Sequence, residues 1–89
     1  MSKKIEYSRL FKKHFKVRIL HNPKLSSKYF ERLDLFLNNP SDPILDDHRL
    51  TGTMIGKRAF SITGDYRVVY RIDGEDIILY DVGTHNQVY

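Results

Sequence analysis

Asp73-Gly74 stands at the junction of two runs rich in β-branched and aromatic residues, Tyr66–Asp73 and Asp76–Val82. An Asp-Gly pair in this position is the strongest local signal for a β-hairpin, because a type I′ turn needs positive φ at both central residues. Gly64-Asp65 separates the first run from an earlier one, Ala59–Thr63, and indicates a second turn. The C-terminal third of the chain is therefore predicted to form an antiparallel meander of three strands.

The chain before this meander has the spacing of amphipathic helices. From Arg9 to about Leu20 the apolar residues recur at helical intervals, while the opposite face carries Lys12, Lys13 and Lys16. His21-Asn22-Pro23 ends this pattern, since proline disfavours helix in the residue before it and suits the first turn of a new helix. A second helix is predicted from about Lys24 to Leu37, packed against the first as a helical hairpin.

Two remaining segments complete the expected architecture. Lys3–Tyr7 is a short run predicted to form an N-terminal strand, with Ser8 as the cap of the first helix. Ser41–Gly56 shows no sustained periodicity and is predicted to be a long irregular loop, a kind of segment that often carries function. We therefore expect a single α+β domain over residues 1–89, with the helices packed on one face of the sheet.

Composition narrows the class of protein. The net charge is +4, and residues 1–32 hold ten of the fifteen Lys and Arg against two acids, which favours a polyanionic partner. The absence of cysteine excludes disulfides and thiolate metal sites. No signal peptide and no apolar stretch of membrane-spanning length is present, so the sequence predicts a cytoplasmic protein without a membrane partner.

The four histidines differ in their predicted surroundings. His14 and His21 lie within and at the end of the first helix and are expected to be structural. His48 lies in the predicted loop and His85 follows the last strand, where a rigid scaffold usually presents catalytic groups. Asp46-Asp47-His48 resembles part of a metal site, but it lacks a second histidine at a ligating spacing, so no metal and no other cofactor is expected.

Four short motifs occur in the order and spacing of a known superfamily. They are Leu45–Gly52 (LDDHRLTG), Gly56-Lys57-Arg58, Ile62–Tyr70 (ITGDYRVVY) and Asp81–Tyr89 (DVGTHNQVY). Together they cover about half of the chain, and each is weak alone. As an ordered set they resemble the RelE/ParE toxin superfamily, and within it the YafQ-like mRNA interferases of RelE type, whose order of strands and helices also matches.

The resemblance implies the toxin of a type II toxin–antitoxin system, a ribosome-dependent mRNA endoribonuclease that inhibits translation. Its implied catalytic residues are His48, Asp65, His85 and Arg58, and its implied RNA-binding residues are Tyr66, Tyr89, Ser61, Arg67, Lys12, Lys13 and Lys16. A histidine occupies the position of Ser61 in some YafQ-like toxins, so activity here could be distributed differently. The implied partners are a cognate antitoxin, the ribosomal A site with its mRNA, and operator DNA through the antitoxin complex only.

The implied chemistry is cleavage without a metal. A base removes the proton of the 2′-hydroxyl, an acid protonates the leaving 5′-oxygen, and positive charge from Arg58 or Arg67 stabilises the phosphorane. His48 and His85 are expected to share the acid and base roles with assistance from Asp65. The products are then a 2′,3′-cyclic phosphate and a 5′-hydroxyl.

Other interpretations of the same residues stay open. Asp65 beside Gly64 is also an ordinary turn residue. Tyr70 is expected in the core, whereas Arg67 and Arg71 form a basic stripe on the other side of their strand that suits phosphate, an acidic antitoxin segment or solvent. Two further functions compete with the RNase: a ParE-like inhibitor of DNA gyrase, whose relatives generally lack the His48, Asp65 and His85 set, and a non-catalytic module that binds antitoxin and DNA.

Overall fold

A computed structural model describes residues 4–89, so Lys3 of the predicted first strand lies outside the described residues. The strands are β1 (Ile5–Tyr7), β2 (His48–Arg49), β3 (Arg58–Ser61), β4 (Tyr66–Asp73) and β5 (Asp76–Thr84). The helices are α1 (Arg9–Arg18), α2 (Pro23–Asn38) and α3 (His85–Val88), and two 3₁₀ turns occupy Pro43–Leu45 and Gly52–Met54. No helix within residues 4–89 is long and apolar enough to cross a membrane.

The five strands form one mixed sheet in the order β1-β5-β4-β3-β2. β3, β4 and β5 make the predicted antiparallel meander. β1 pairs with β5 in parallel orientation. Parallel strands cannot be joined by a tight turn, and here the helices and the other strands connect the two. The predicted α+β class and order of elements are confirmed.

The long loop predicted over Ser41–Gly56 is wrong in detail. Within it, His48 pairs with Ala59 and Arg49 with Arg58, which adds β2 to the edge of the sheet. A strand of two residues is too short to show the alternation that identifies strands, and the two 3₁₀ turns on either side of it leave no periodic signal either. Consequently His48 lies on a sheet edge, where its position is fixed by pairing.

The two helices begin at side-chain caps. The Ser8 hydroxyl accepts a hydrogen bond from the Phe11 amide at the start of α1, and the Asn22 side chain accepts one from the Leu25 amide at the start of α2. Each cap satisfies an amide that has no partner inside the helix. α1 ends two residues earlier than predicted, and α2 begins at Pro23, in the first-turn position that suits proline.

Different elements pack on the two faces of the sheet. α1 and α2 cover one face, where the main core includes Phe11, Tyr29, Phe36, Phe60, Val68 and Leu79. A smaller cluster on the other face joins Ala59, Val69 and Val88, with Leu50, Met54 and Tyr80 packed against it. The prediction that the helical hairpin packs on one face is therefore correct, and α3 and the second 3₁₀ turn cover part of the opposite face.

The buried Tyr29 makes stability sensitive to alkaline pH. Burial, and to a lesser degree the nearby Tyr7, raises the pKa of the Tyr29 hydroxyl well above its usual range. Above about pH 10 the unfolded chain loses this proton while the folded chain retains it, so the stabilisation present below about pH 10 is lost as pH rises. We expect Tyr29→Phe to reduce the alkaline slope of the unfolding free energy by up to about 1.4 kcal/mol per pH unit. Urea titrations at several pH values would measure it, and an unchanged slope would contradict this account.

Candidate active site

His48 is held at the sheet edge with a defined ring orientation. Its Nδ1 lies 2.8 Å from the backbone oxygen of Asp46. A carbonyl oxygen can only accept, so Nδ1 carries the hydrogen and Nε2 is the free nitrogen of the neutral ring. Asp46 has φ of 49°, a left-handed conformation that aspartate tolerates better than most residues. This turn directs the Asp46 carbonyl at the ring and leaves Nε2 for a ligand.

Asp47 anchors the segment that presents His48. Its carboxylate accepts a hydrogen bond from Arg58 Nε at 3.0 Å and another from the Tyr70 hydroxyl. Burial raises the pKa of the Tyr70 hydroxyl well above its usual range, and the Asp47 carboxylate adds to this effect. The Tyr70 ring packs in the main core, as predicted. Asp47 therefore anchors this segment on the helix-covered side of the sheet, and the His48 side chain points to the opposite side.

Arg58 does not join the other predicted catalytic residues. It lies opposite Tyr70 in the β3–β4 register, so its side chain points to the helix-covered side of the sheet. His48 lies opposite Ala59 and points to the other side. The predicted catalytic set is therefore divided: Arg58 is an ion-pair partner of Asp47, and positive charge on the histidine side has to come from another residue.

This anchor leads to a prediction about stability. Asp47→Ala leaves the Arg58 guanidinium and the Tyr70 hydroxyl without their shared acceptor, and we expect it to lower the free energy of unfolding by about 2–3 kcal/mol. Because Asp47 and Arg58 contact each other, the double variant with Arg58→Ala should cost less than the sum of the two single variants. Asp73→Ala, which breaks an exposed ion pair with Arg71, is the control and should cost under about 1 kcal/mol. Chemical denaturation would measure all four; strictly additive effects would contradict the anchor.

The turn that carries Asp65 is joined to the start of α3. The Thr63 hydroxyl accepts hydrogen bonds from the amides of Asp65 and Tyr66, both at 3.2 Å. The Asp65 carbonyl in turn accepts one from the His85 amide at 3.1 Å. Asp65 is exposed, and the hydrogen bond brings it beside His85 although the two residues are 20 positions apart in the sequence. Asp65 thus has a turn role and also neighbours a candidate catalytic histidine.

His85 begins α3, a single helical turn that was not predicted from the sequence. The Thr84 hydroxyl and the Gln87 side chain form a capping box, with the Thr84 amide donating to Gln87 Oε1 at 2.8 Å. The His85 ring lies edge-on to the Tyr89 ring, with the centroids 4.5 Å apart. The Tyr89 amide also donates to the His85 carbonyl. The C-terminal residues are thereby ordered with both rings on one surface.

Gly83 allows the close packing beneath α3. A Cβ atom at this position would lie 2.7 Å from both Arg18 Nη1 and Gln87 Oε1. Arg18 uses that space to donate a hydrogen bond to the Val82 carbonyl at 3.0 Å, and His14 Nδ1 lies 2.6 Å from the Asp81 carboxylate. Two side chains of α1 therefore fix the end of β5, from which His85 projects. His14 has the structural role predicted for it.

Tyr89 connects the two candidate histidines. Its ring touches His85, and it lines a cavity of about 420 Å³ together with His48 and the second 3₁₀ turn. Burial raises the pKa of the Tyr89 hydroxyl, Asp46 adds to this, and the charge and hydrogen bond of Arg67 oppose it. Arg67 also donates to the Thr63 and Gly64 carbonyls. We call His48, Asp65, Arg67, His85 and Tyr89 the histidine surface.

Of the other predicted RNA-binding residues, Ser61 shares the face of the sheet with Arg67 but is nearly buried, and the remaining ones lie elsewhere. Ser61 is only 7% exposed, opposite Arg67 in the β3–β4 register. Tyr66 packs against the main core on the helix side. Lys12, Lys13 and Lys16 are exposed on α1, which covers the face opposite His48. Side-chain alternation along β4 therefore places Arg67 on the histidine surface and Tyr66 behind it.

Residues 3–89 match the family model described as the bacterial toxin of type II toxin–antitoxin systems, YafQ. The chain is a member of the YafQ toxin family. It has 24% identity and a TM-score of 0.80 to YafQ from Escherichia coli, with 99% of each chain covered. A search of curated proteins found no match.

Two further solved structures place this YafQ-family toxin in its structural group. YafQ in the Escherichia coli DinJ–YafQ toxin–antitoxin complex matches with 24% identity and a TM-score of 0.78, covering 100% of this chain and 99% of that one. A copper-bound mutant toxin from Helicobacter pylori matches with 26% identity and a TM-score of 0.77, covering 99% and 100%. The RelE-like fold and the YafQ-like resemblance predicted from the sequence are both confirmed.

Several residues that shape the site of this YafQ-family toxin were not given their positioning roles from the sequence, where Asp46 and Asp47 were considered only as part of a possible metal cluster. Asp47 fixes the β2 segment, the Asp46 carbonyl orients His48, and Thr63 organises the Asp65 turn. A local signal existed for one feature only, because Thr84-x-x-Gln87 has the spacing of a capping box. The other contacts depend on the three-dimensional approach of segments that are distant in the sequence.

Proposed function

We propose that this toxin is a ribosome-dependent mRNA endoribonuclease that cleaves through attack of the 2′-hydroxyl on the adjacent phosphate. The observation that carries the proposal is the histidine surface: the Tyr89 ring contacts His85, Tyr89 and His48 line one cavity, and Arg67 lies on the same face of the sheet as His48. Two imidazoles on one exposed surface are able to act as acid and base near neutral pH. The Arg67 guanidinium on the same face can supply the positive charge that stabilises the phosphorane.

His48 is the better candidate for the base. Its Nδ1–H is engaged by the Asp46 carbonyl, so Nε2 of the neutral ring is available to accept the 2′-hydroxyl proton. The 2′-oxygen then bonds to phosphorus as the bond to the 5′-oxygen breaks. His85, in its protonated form, donates a proton to that 5′-oxygen. The products are a 2′,3′-cyclic phosphate and a 5′-hydroxyl, and each histidine finishes in the protonation state opposite to the one in which it began.

Arg67 and Tyr89 have binding roles in this proposal. The Arg67 guanidinium takes the charge-stabilising role at the phosphorane, since Arg58 is occupied with Asp47 on the far side of the sheet. The Tyr89 side chain is 43% exposed and offers an aromatic face on which a base can stack. The role proposed for the Asp65 carboxylate is to orient the His85 imidazole, and the backbone hydrogen bond from the His85 amide to the Asp65 carbonyl supports this proposal because it makes the two residues neighbours.

The proposed partners are a cognate antitoxin and the ribosome with mRNA in its A site. The antitoxin is supported by the family and by structures of relatives solved with antitoxins, such as the DinJ–YafQ complex and the YoeB–YefM complex from Staphylococcus aureus. A chain of 89 residues has little surface with which to position free RNA, and this favours a substrate already held by the ribosome. Operator DNA is proposed to be bound only through the antitoxin complex.

Primer extension on a reporter mRNA in a cell-free translation extract tests the function. We expect discrete cuts after addition of the toxin, and their loss when the start codon is removed so that the message is not translated. Cuts that persist without translation would contradict ribosome dependence. Gyrase-linked DNA breaks with intact mRNA would support the ParE-like alternative, and neither product would support the non-catalytic module.

A further inference from the structure

The cavity that His48 and Tyr89 share has a wall that the proposed cleavage reaction does not use. This wall is the second 3₁₀ turn, Gly52–Met54, together with Thr51 before it, and the whole cavity measures about 420 Å³. We call this cavity the Tyr89 pocket. Because His48 lines the same space, any occupant of the pocket lies next to the proposed catalytic base.

Backbone hydrogen bonds fix the shape of this wall. The Leu50 amide donates to the Lys57 carbonyl at 3.0 Å, which closes the loop at its base. Within the loop, the Met54 amide donates to the Thr51 carbonyl at 3.2 Å, and Gly52 has a φ of 65°, in the left-handed region that favours glycine. The wall is therefore preorganised, so binding does not have to order it.

The Thr51 hydroxyl has no role in the backbone of its own turn. Thr51 holds the N-cap position, where a threonine hydroxyl ordinarily accepts a hydrogen bond from a backbone amide, yet within residues 4–89 its side chain makes no capping hydrogen bond. Thr51 and Thr53 are both exposed, and both line the pocket. Each hydroxyl can donate one hydrogen bond and accept others, so this wall can pair with donors and with acceptors.

The rest of the pocket is aromatic and apolar. The Tyr89 ring is 43% exposed and is held edge-on to His85. Leu50 and Met54 are half-buried, because they also pack against the smaller core cluster. A flat ring with hydrogen-bonding groups at its edge suits this combination, since its faces meet the aromatic and apolar side chains and its edge meets the threonines. A nucleobase is a ring of this kind.

Other occupants suit the pocket less well. A phosphate or a sugar would leave the Tyr89 ring and Met54 without a matching contact, and an apolar peptide side chain would leave the threonine hydroxyls without one. Among the described residues that line the pocket none is acidic, so no side chain there repels the polyanionic backbone of RNA. Aromatic, hydroxyl and apolar groups together favour a base of the RNA.

We infer that the Tyr89 pocket binds the nucleobase on the 5′ side of the cut, and that Thr51 and Thr53 determine which base is accepted. The position relative to the cut rests on the proposed function, in which His48 takes the proton of the 2′-hydroxyl on that same nucleotide. Tyr89 stacks on any base, because every base has an aromatic face. The threonine hydroxyls contact the base edge, where donors and acceptors differ between bases. Tyr89 thus supplies affinity and the threonines supply selectivity.

Titration of the full toxin with the four nucleoside 3′-monophosphates tests the pocket without any cleavage. We expect nucleotide binding to shift the NMR signals of Thr51, Thr53 and Tyr89, and the four nucleotides to differ in affinity. Thr51→Val and Thr53→Val keep the side-chain shape and remove the hydroxyl, so they should weaken binding of the preferred nucleotide by about 2- to 10-fold. Thr51→Ser and Thr53→Ser keep the hydroxyl and should bind it like the wild type.

Sequencing of the cut ends from a translation extract tests the same pocket during the reaction. With Thr51→Val and Thr53→Val combined, the frequency of the preferred base on the 5′ side of the cut should fall by at least about 2-fold relative to the other bases. Tyr89→Leu should lower cutting at all bases and keep their ranking. Ile55→Ala is the matched control from the same loop and should give the wild-type profile, because Ile55 is 77% exposed and lies outside the pocket.

Three outcomes would overturn the inference: equal affinity for the four nucleotides, shifts of the threonine signals by inorganic phosphate as large as those by nucleotides, or an equal change of profile in Ile55→Ala. Two combined results separate the inference from the proposed function. Nucleotide binding that depends on the threonine hydroxyls, with mRNA left intact, refutes the proposed function alone. Cleavage to 2′,3′-cyclic phosphates with a wild-type base profile in the combined valine variant refutes the base pocket alone.

Discussion

His48→Ala and His85→Ala are each expected to lower the rate of mRNA cleavage in a translation extract by about 10²- to 10⁴-fold, the usual contribution of one proton-transfer group. Both side chains are exposed, so their removal should leave the fold intact. His21→Ala is the matched control, because His21 is also exposed but lies in the α1–α2 connection, and it should cut at the wild-type rate. Cleavage near the wild-type rate in both single variants would refute the assignment of acid and base.

A second variant at His85 separates proton transfer from packing. The His85 ring contacts Tyr89, so His85→Ala removes an aromatic contact together with the acid. His85→Phe keeps an aromatic ring in that place and removes only the ability to donate a proton. If proton transfer is the role of His85, His85→Phe will be about as inactive as His85→Ala. Recovery of activity in His85→Phe would show that His85 acts by positioning Tyr89.

Phe60→Ala is expected to lower the free energy of unfolding by about 3–5 kcal/mol, the cost of deleting a large aromatic side chain from a packed core. Phe60 is fully buried and stacks on Phe36 with a centroid distance of 4.5 Å, close to Tyr70 at 6.0 Å. A domain of this size has a total stability of only about 5–10 kcal/mol, so the variant should be near the limit of folding.

Chemical denaturation followed by circular dichroism would measure this loss. Ile72→Ala on β4 is the control, since Ile72 is 53% exposed and should cost much less, about 0.5 kcal/mol. If Phe60→Ala cost no more than Ile72→Ala, the aromatic cluster between α2 and the sheet would not be the centre of stability. The same experiment bears on function, because β3 pairs with the strand that carries His48.

The parts of this fold that local chemistry determines could be predicted from the sequence. The hairpin at Asp73-Gly74 follows from turn preferences, and the helical hairpin from apolar spacing and the proline at position 23. β2 could not be predicted, because two residues carry no alternation and its pairing depends on β3. The parallel pairing of β1 with β5 likewise depends on segments separated by some 70 residues.

The candidate site shows the same division. His48 and His85 could be selected from their positions outside the helices, but the side of the sheet to which Arg58 points depends on the β3–β4 register. A shift of one residue would exchange the directions of Arg58 and Ala59. The hydrogen bond from the Tyr70 hydroxyl to the Asp47 carboxylate joins residues 23 positions apart, so no local sequence pattern predicts it. Lys12 and Lys16 border an apolar groove away from the histidine surface, so their role in RNA binding stays a prediction that is separate from that surface.

The chemistry of the cut ends tests the central claim most directly. A reporter mRNA with a single 2′-deoxynucleotide on the 5′ side of the mapped cut would be translated in the extract together with its all-ribose counterpart. The account predicts that the deoxy message is not cut at that position, and that the ribose message gives a 2′,3′-cyclic phosphate and a 5′-hydroxyl. Equal cleavage of both messages, or a 5′-phosphate at the cut, would contradict attack by the 2′-hydroxyl with His48 and His85 as base and acid.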